Sequence, residues 1–227
     1  MTREINSVAV IGGGTMGAGI AGKCADAGCR VLLLDINEEA VAKAMERVTG
    51  GRSPAIENPE SAKLIETGTF NQLDRIAGYD WVCEAVIEDL ATKRDFFEKL
   101  DAARSPGSVI STNTSGIPLR SIVEGMPEQL RRDVVVTHFF NPVKVMKLLE
   151  VVPGQDTTPD VVEAIAAFGA DKLGKGVVHA KDTVNFIGNR DGLCHISELP
   201  DHRVKTVNDI SNEGDEVFVK CLAIDDR

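Results

Sequence analysis

Val8-Ala-Val-Ile-Gly-Gly-Gly-Thr-Met-Gly-Ala-Gly-Ile20 is the stretch that decides the fold. A short β-rich run over 7–11 breaks at three consecutive glycines. Residues 15–28 follow, with Ala, Met and Ile at helical spacing. Next, 30–35 (Arg-Val-Leu-Leu-Leu-Asp) is a near-continuous apolar run, as expected of a strand buried on both faces. Residues 37–49 then read as a helix, with Asn37 as N-cap and Glu38 and Glu39 in its first turn. Strand, helix, strand, helix predicts an α/β fold, a Rossmann-type doubly wound and mostly parallel sheet.

Within this stretch Gly12-Gly-Gly-Thr-Met-Gly17 fits G-x-G-x-x-G. Such a loop alone says little, but here a strand precedes it and a helix follows. Gly12 permits the tight turn, Gly14 lets a pyrophosphate approach the backbone, and Gly17 lets helix and strand pack closely. The helix N-terminus offers N–H groups and partial positive charge to phosphates. Asp35, 18 residues past Gly17, ends the second strand. Its carboxylate can accept both ribose hydroxyls of an adenosine and would repel a 2′-phosphate. Asn37 rather than Arg follows, so the expected cofactor is NAD, not NADP. The competing reading is a structural βα turn without a ligand.

Outward from there the alternation continues less regularly. Residues 50–59 are a turn-rich break. Strands are predicted at 63–67, 80–86, 108–113, 133–138, 146–152 and 176–180. Helices are predicted at 89–104, near 118–123, and at 159–173 with Thr157 or Thr158 as cap. After Asn189 the texture changes. Residues 192–197 and 216–224 read as two strands around a polar link, an incomplete β appendage that cannot bury a core alone.

Composition bounds the function. The 227 residues carry 35 acids against 25 bases, net −10, so nucleic acid is disfavoured as a partner. Residues 191–227 hold nine acids and four bases, a shift that marks a second piece. No apolar run approaches the roughly 18 residues of a membrane span, and the N-terminus lacks a signal-peptide core. The five cysteines are irregularly spaced without a CxxC, and the four histidines have no ligand spacing. The expectation is reduced, mostly buried thiols, a cytoplasmic setting and no metal site.

Two polar groupings stand downstream. Ser111-Thr-Asn-Thr-Ser-Gly116 ends a strand at the sheet edge where ligands sit in such folds. It reads equally as a turn capped by hydroxyls. His138 ends another strand, before Asn141-Pro142. Glu150 lies twelve residues on, inside Leu148-Leu-Glu-Val-Val152, where an acid needs a partner. The two make a general base oriented by a carboxylate, or else a core histidine and an unrelated strand-edge acid.

Residues 5–190, 186 of 227, resemble the NAD-binding domain of L-3-hydroxyacyl-CoA dehydrogenases. The stretches that carry the resemblance are the glycine turn, Glu84-Ala-Val-Ile-Glu88, Ser111-Thr-Asn-Thr-Ser115, Thr137-His-Phe-Phe-Asn-Pro142, Met146-Lys-Leu-Leu-Glu-Val-Val-Pro-Gly154 and Lys181-Asp-Thr-Val-Asn-Phe-Ile-Gly-Asn-Arg190. The resemblance implies that Gly12, Gly14, Gly17 and Asp35 hold the cofactor, with Glu88 and Lys93 near the nicotinamide ribose. Asn113 and Ser115 would sit beside nicotinamide and substrate. His138 would be the catalytic base, Glu150 its orienting carboxylate and Asn189 a substrate-side group. An acyl-CoA thioester is the implied substrate, and fatty-acid β-oxidation the implied setting.

In that family an all-helical domain follows, makes the dimer contact and closes the acyl pocket. Residues 191–227 instead resemble part of the RNA-binding oligonucleotide-fold barrel at the C-terminus of polynucleotide phosphorylase, through Asp191-Gly-Leu-Cys-His-Ile-Ser-Glu198 and Glu213-Gly-Asp-Glu-Val-Phe-Val-Lys220. The expected organisation is therefore chimeric, with a dinucleotide domain over 1–190, a partial barrel over 191–227 and no oligomeric state implied. Three functions follow: an NAD-dependent dehydrogenase domain with activity impaired by the unmatched helical domain, an NAD-binding remnant without turnover, or RNA binding through the tail.

Overall fold

The computed structural model describes residues 3–183. Their elements run β1 (Ser7–Ile11), α1 (Thr15–Asp26), β2 (Arg30–Asp35), α2 (Glu38–Thr49), a 3₁₀ segment (Pro59–Leu64), β3 (Ile65–Thr69), a second 3₁₀ segment (Phe70–Gly78), β4 (Trp81–Glu84) and α3 (Leu90–Ala103). They continue through β5 (Val109–Thr112), α4 (Leu119–Val123), α5 (Glu128–Arg132), β6 (Val134–Phe139), β7 (Leu148–Pro153), α6 (Pro159–Ala167), a π turn (Phe168–Lys172) and β8 (Gly176–His179). The sheet order is β3-β2-β1-β4-β5-β6-β7-β8. The first six strands are mutually parallel; β7 is antiparallel to β6, and β8 is parallel to β7. The chain winds outward from β1 in both directions, so a crevice opens beyond the C-terminal ends of β1 and β4.

The apolar runs of β1, β2 and β4 are explained by burial on both faces. Val8, Val10, Val31, Leu33 and Trp81 face one core, with Ile20, Ala44 and Ile165 from α1, α2 and α6. The intervening Ala9, Ile11, Leu32, Leu34 and Val82 face the other, with Phe97, Leu100 and Ile122 from α3 and α4. Successive side chains alternate between faces, so every position of such a strand is interior. Truncating one, as in Leu33→Ala, would cost about 2–5 kcal/mol.

Charge is organised at the opposite rim, where the parallel strands begin. Arg3 bridges Asp133 and Asp160, each at 2.7 Å, and Arg104 binds the second oxygen of Asp133 at 2.7 Å. Arg104 and Asp133 are buried, so each requires the other.

Helix starts follow their caps. Asn37 accepts from the Ala40 N–H and Asp89 from the Thr92 N–H. Two expectations need correction. The strand placed at 63–67 lies at Ile65–Thr69, because Pro59 starts a 3₁₀ segment that Asn58 caps and that runs to Leu64. The helix placed at 159–173 is α-helical only to Ala167 and ends in the π turn. Thr158 is its N-cap, one of the two expected, but caps through its backbone carbonyl and not its hydroxyl: Thr157 donates to the Val134 carbonyl and Thr158 to that of Arg132. The short helix α5 was not anticipated. The strands expected at 192–197 and 216–224 lie outside the described residues.

Cys24, Cys29 and Cys83 are buried free thiols, and burial pushes Cys83 up to about 12. Among the described residues no helix is long and apolar enough to cross a membrane.

Candidate active site

The glycine turn connects β1 to α1. Gly12 has φ +100°, and a Cβ there would lie 2.7 Å from the Ala85 carbonyl oxygen. Gly17 presses on the turn itself, since its Cβ would stand 1.7 Å from the Gly12 oxygen. Gly14 differs from both. It is the N-cap of α1, makes no side-chain cap, and has nothing within 4 Å of its virtual Cβ. Two glycines are thus required by packing, and the third keeps a helix N-terminus open. Asp35 lies beside the turn, its Oδ2 accepting from the Gly13 N–H at 2.8 Å and its Oδ1 from the Ile36 N–H at 2.6 Å. Open helix end and carboxylate together fit a pyrophosphate with an adjoining ribose.

The neighbouring strand ends carry a buried ionic cluster. Lys93, on the first turn of α3, reaches back under β4. Its Nζ lies 2.8 and 3.1 Å from the two oxygens of Glu84 and 3.3 Å from Glu88 Oε2. Glu84 and Lys93 are 0% and 1% exposed, and so depend on one another. Glu84 also accepts from the Thr112 hydroxyl and the Val86 N–H, both at 2.7 Å. Glu88 Oε1 accepts from the Thr114 hydroxyl at 2.6 Å and from the Ser115 and Gly116 N–H groups at 2.9 and 3.1 Å. Burial pushes the Glu88 carboxyl up, but the Thr114 hydrogen bond, the Lys93 charge and the two backbone donors outweigh it and hold it below its ordinary value.

His138 and Glu150 are direct cross-strand partners on β6 and β7. His138 Nδ1 lies 2.6 Å from Glu150 Oε2, and the Glu150 side chain is 4% exposed. An ionised carboxylate only accepts, so Nδ1 carries the proton and the basic lone pair resides on Nε2. The Phe140 ring lies 4.5 Å from the imidazole, centroid to centroid. Asn113 Oδ1 accepts from the Phe139 N–H at 2.9 Å, which leaves its amide nitrogen as the donor.

Glu88, Asn113, Ser115 and His138 line one cavity of about 370 Å³, together with Met16 of α1 and Phe140. Met16 joins the two halves, since it belongs to the first turn of the glycine-loop helix. A larger hollow of about 580 Å³ among Arg120, Glu124, Arg131 and Asp156 holds none of these groups. Gly12, Gly14, Gly17 and Asp35 gather at the turn, and Lys93 lies buried behind Glu88. Asn189 lies outside the described residues. Glu84 and Thr114 were not singled out from the sequence. Glu84 carried the same sign as Glu150, an acid inside an apolar strand.

Residues 7–183 match the family model described as 3-hydroxyacyl-CoA dehydrogenase, NAD binding domain. The chain belongs to this family. NAD is therefore the cofactor of the dehydrogenase domain, in agreement with the open turn and Asp35. A probable 3-hydroxyacyl-CoA dehydrogenase of Deinococcus radiodurans is 41% identical over 210 residues, covering 89% of this chain and 61% of the relative. Mitochondrial hydroxyacyl-coenzyme A dehydrogenase of Rattus norvegicus is 34% identical over 231 residues, covering 96% of this chain and 72% of the relative. The crystal structure of 3-hydroxybutyryl-CoA dehydrogenase from Escherichia coli K12 superposes with a TM-score of 0.73 at 38% identity, over 82% of this chain and 40% of that one. The chain thus spans about three fifths of the Deinococcus relative.

Residues 174–227 match the S1 RNA binding domain model, so the two matches overlap at 174–183. In the overlap, Gly176–His179 is β8, paired in parallel with β7. That stretch belongs to the dehydrogenase sheet.

Proposed function

We propose that the dehydrogenase domain serves the NAD-dependent interconversion of (S)-3-hydroxyacyl-CoA and 3-oxoacyl-CoA, as in fatty-acid β-oxidation. The observation that carries it is the 2.6 Å contact between His138 Nδ1 and Glu150, on the wall of the cavity that Asn113 and Ser115 share. Nε2 takes the proton of the C3 hydroxyl as the carbonyl forms, and Glu150 stabilises the resulting imidazolium. NAD, when bound, supplies the acceptor for the hydride that leaves C3. Ser115 and Asn189 hold the substrate oxygen, and Asn113, Glu88 and Lys93 set the nicotinamide end. Gly12, Gly14, Gly17 and Asp35 seat the adenosine and pyrophosphate end.

Beside the glycine-loop helix, a hollow of about 470 Å³ is lined by Arg47, Arg52 and Lys144 together with Glu46. Three cations there suit the phosphates of a coenzyme A thioester. The buried thiols suit a reducing, cytoplasmic setting. We place the end of the dinucleotide domain near residue 190. The test is the loss of NADH absorbance on adding acetoacetyl-CoA to the 227-residue chain. Consumption that stops in His138→Ala supports the reading. NADH that fails to bind at all would overturn it.

The S1 match carries a second reading, RNA binding through the C-terminal stretch. We propose that its affinity is slight. Residues 191–227 hold nine acids, four bases and Phe218 as their single Phe, Trp or Tyr, whereas single-strand binders use a basic groove and stacking aromatics. Labelled single-stranded RNA titrated at low salt is the check. His195 resembles a base-stacking position of such barrels, so micromolar or tighter binding, lost on His195→Ala, would favour the RNA reading.

A further inference from the structure

We infer that Glu84 is a positioning residue for the nicotinamide half of the cofactor, acting through Lys93 and Glu88. The inference rests on the NAD site described above. Glu84 is fully buried and is not among the residues that line the His138 cavity, so it does not meet a ligand there itself. Its carboxylate instead joins three pieces of the cavity wall. It accepts from the Val86 N–H just past β4, from the Thr112 hydroxyl at the tip of β5, and from Lys93 on α3.

All three contacts lead to the cavity, and Val86 lines it itself. Thr112 immediately precedes Asn113, whose side chain lines it. Lys93 is shared between Glu84 and Glu88, at 2.8 and 3.3 Å, and Glu88 lines the cavity with its side chain 41% exposed. Two acids divide one ammonium, and the buried acid holds the nearer position. Without the charge on Glu84, Lys93 has one carboxylate left to pair with and is drawn to Glu88. Glu88 is the acceptor that orders the Thr114, Ser115 and Gly116 donors. A buried ammonium without its partner cannot stay where it was.

A structural ion pair and a positioning residue differ in which half of the cofactor feels the loss. The adenosine and pyrophosphate end is seated by the glycine turn and Asp35; the turn packs on Ala85 through Gly12, but among the described residues it shares no hydrogen bond or ion pair with the side chains of Glu84, Lys93 or Glu88. Glu84→Gln in the 227-residue chain keeps the side-chain shape while removing the charge. NADH and ADP binding are measured by calorimetry on wild type and variant. The expected result is an NADH affinity lower by about tenfold, the scale of one lost charged hydrogen bond, with ADP affinity held within about twofold. Unchanged NADH affinity, or parallel losses for both ligands, would overturn the inference.

Thr112→Val decides the same comparison if Glu84→Gln does not fold. It retains the ion pair and removes two hydrogen bonds, the one the hydroxyl donates to Glu84 and the longer one it accepts from the Thr114 N–H at 3.2 Å, so a loss of about fivefold for NADH alone is expected. No loss, or an equal loss for ADP, overturns the inference. Wild-type chain that binds neither ligand would instead bring down the cofactor site on which the inference stands.

Discussion

His138 and Glu150 face each other across the antiparallel pair β6–β7, and their side chains close to 2.6 Å. The contact follows from strand register. Residues 140–147 turn the chain back so that position 138 meets position 150 on the same face of the sheet, beside the cavity. The carboxylate is buried and the imidazole is partly open, so the ring is oriented from the protein side through Nδ1, the arrangement our proposed function uses.

Replacing either partner should separate catalysis from binding. His138→Ala should lower acetoacetyl-CoA reduction by about 10²–10⁴-fold, the usual contribution of a general base. Glu150→Gln should lower it by a similar order, because an amide can donate to Nδ1 and place the proton on Nε2. NADH affinity, followed by titration, should change little in both. A Glu150→Gln variant with wild-type turnover would show that the carboxylate does not orient the base.

Asp35 should decide between NADH and NADPH. The unmutated chain should bind NADH better, since a 2′-phosphate would meet the Asp35 carboxylate. Asp35→Ala should weaken NADH by about 10–100-fold, the worth of charged hydrogen bonds to ribose hydroxyls, and narrow the preference. Parallel titrations with both nucleotides measure this. Equal affinities in the unmutated chain would remove Asp35 from the role.

Two glycines of one turn should fail differently. Gly17→Ala would push a methyl into the Gly12 carbonyl and cost about 1–3 kcal/mol or more in stability. Gly14→Ala meets no protein atom, so its melting temperature should stay within the few degrees that about 0.5–1 kcal/mol of N-cap preference implies. Its NADH affinity should nevertheless fall, because the methyl occupies the approach of the pyrophosphate. Thermal melts with and without NADH check both.

Lys175 should give the fold a recognisable pH dependence. It is buried, its Nζ donates to the Val143 and Met146 carbonyls, and burial together with the charges of Lys23 and Lys147 brings it down to about 8 from 10.5, while Cys24 pulls the other way. Between those values the unfolded chain binds more protons than the folded one, so this group's contribution to stability rises with pH. It is fully present above about 10.5 and lost as pH falls through about 8. Urea unfolding of wild type and Lys175→Met at pH 8 and pH 10 isolates it. The variant should lack the rise, and equal slopes for the two proteins would refute it.

Much of this was legible from residues 7–35. A strand buried on both faces shows as an uninterrupted apolar run, and the glycine turn and Asp35 follow it at fixed spacing. β3 was harder because it is an edge strand and mostly half-buried, so its pattern is weak and Lys63 and Leu64 passed for its start. The end of α6 was hidden for a tertiary reason. Gly169 packs so closely on Leu149 that a Cβ would stand 2.7 Å from it, and no local signal announces such a contact. The His138–Glu150 pair stayed undecided in the sequence because register depends on how the intervening loop turns. Glu84 was visible as an acid among apolar neighbours, but its partner Lys93 sits on a helix and only the fold brings the two together.

The Arg3–Asp133–Arg104 network stands at the rim where the strands begin, and the His138 cavity at the rim where they end. Strands of this length hold the two roughly 15–20 Å apart, a separation at which substitutions act additively. The lineage can therefore retune how warm or acidic a cell the domain tolerates by exchanging charges in matched pairs at the first rim, without any change of chemistry at the second.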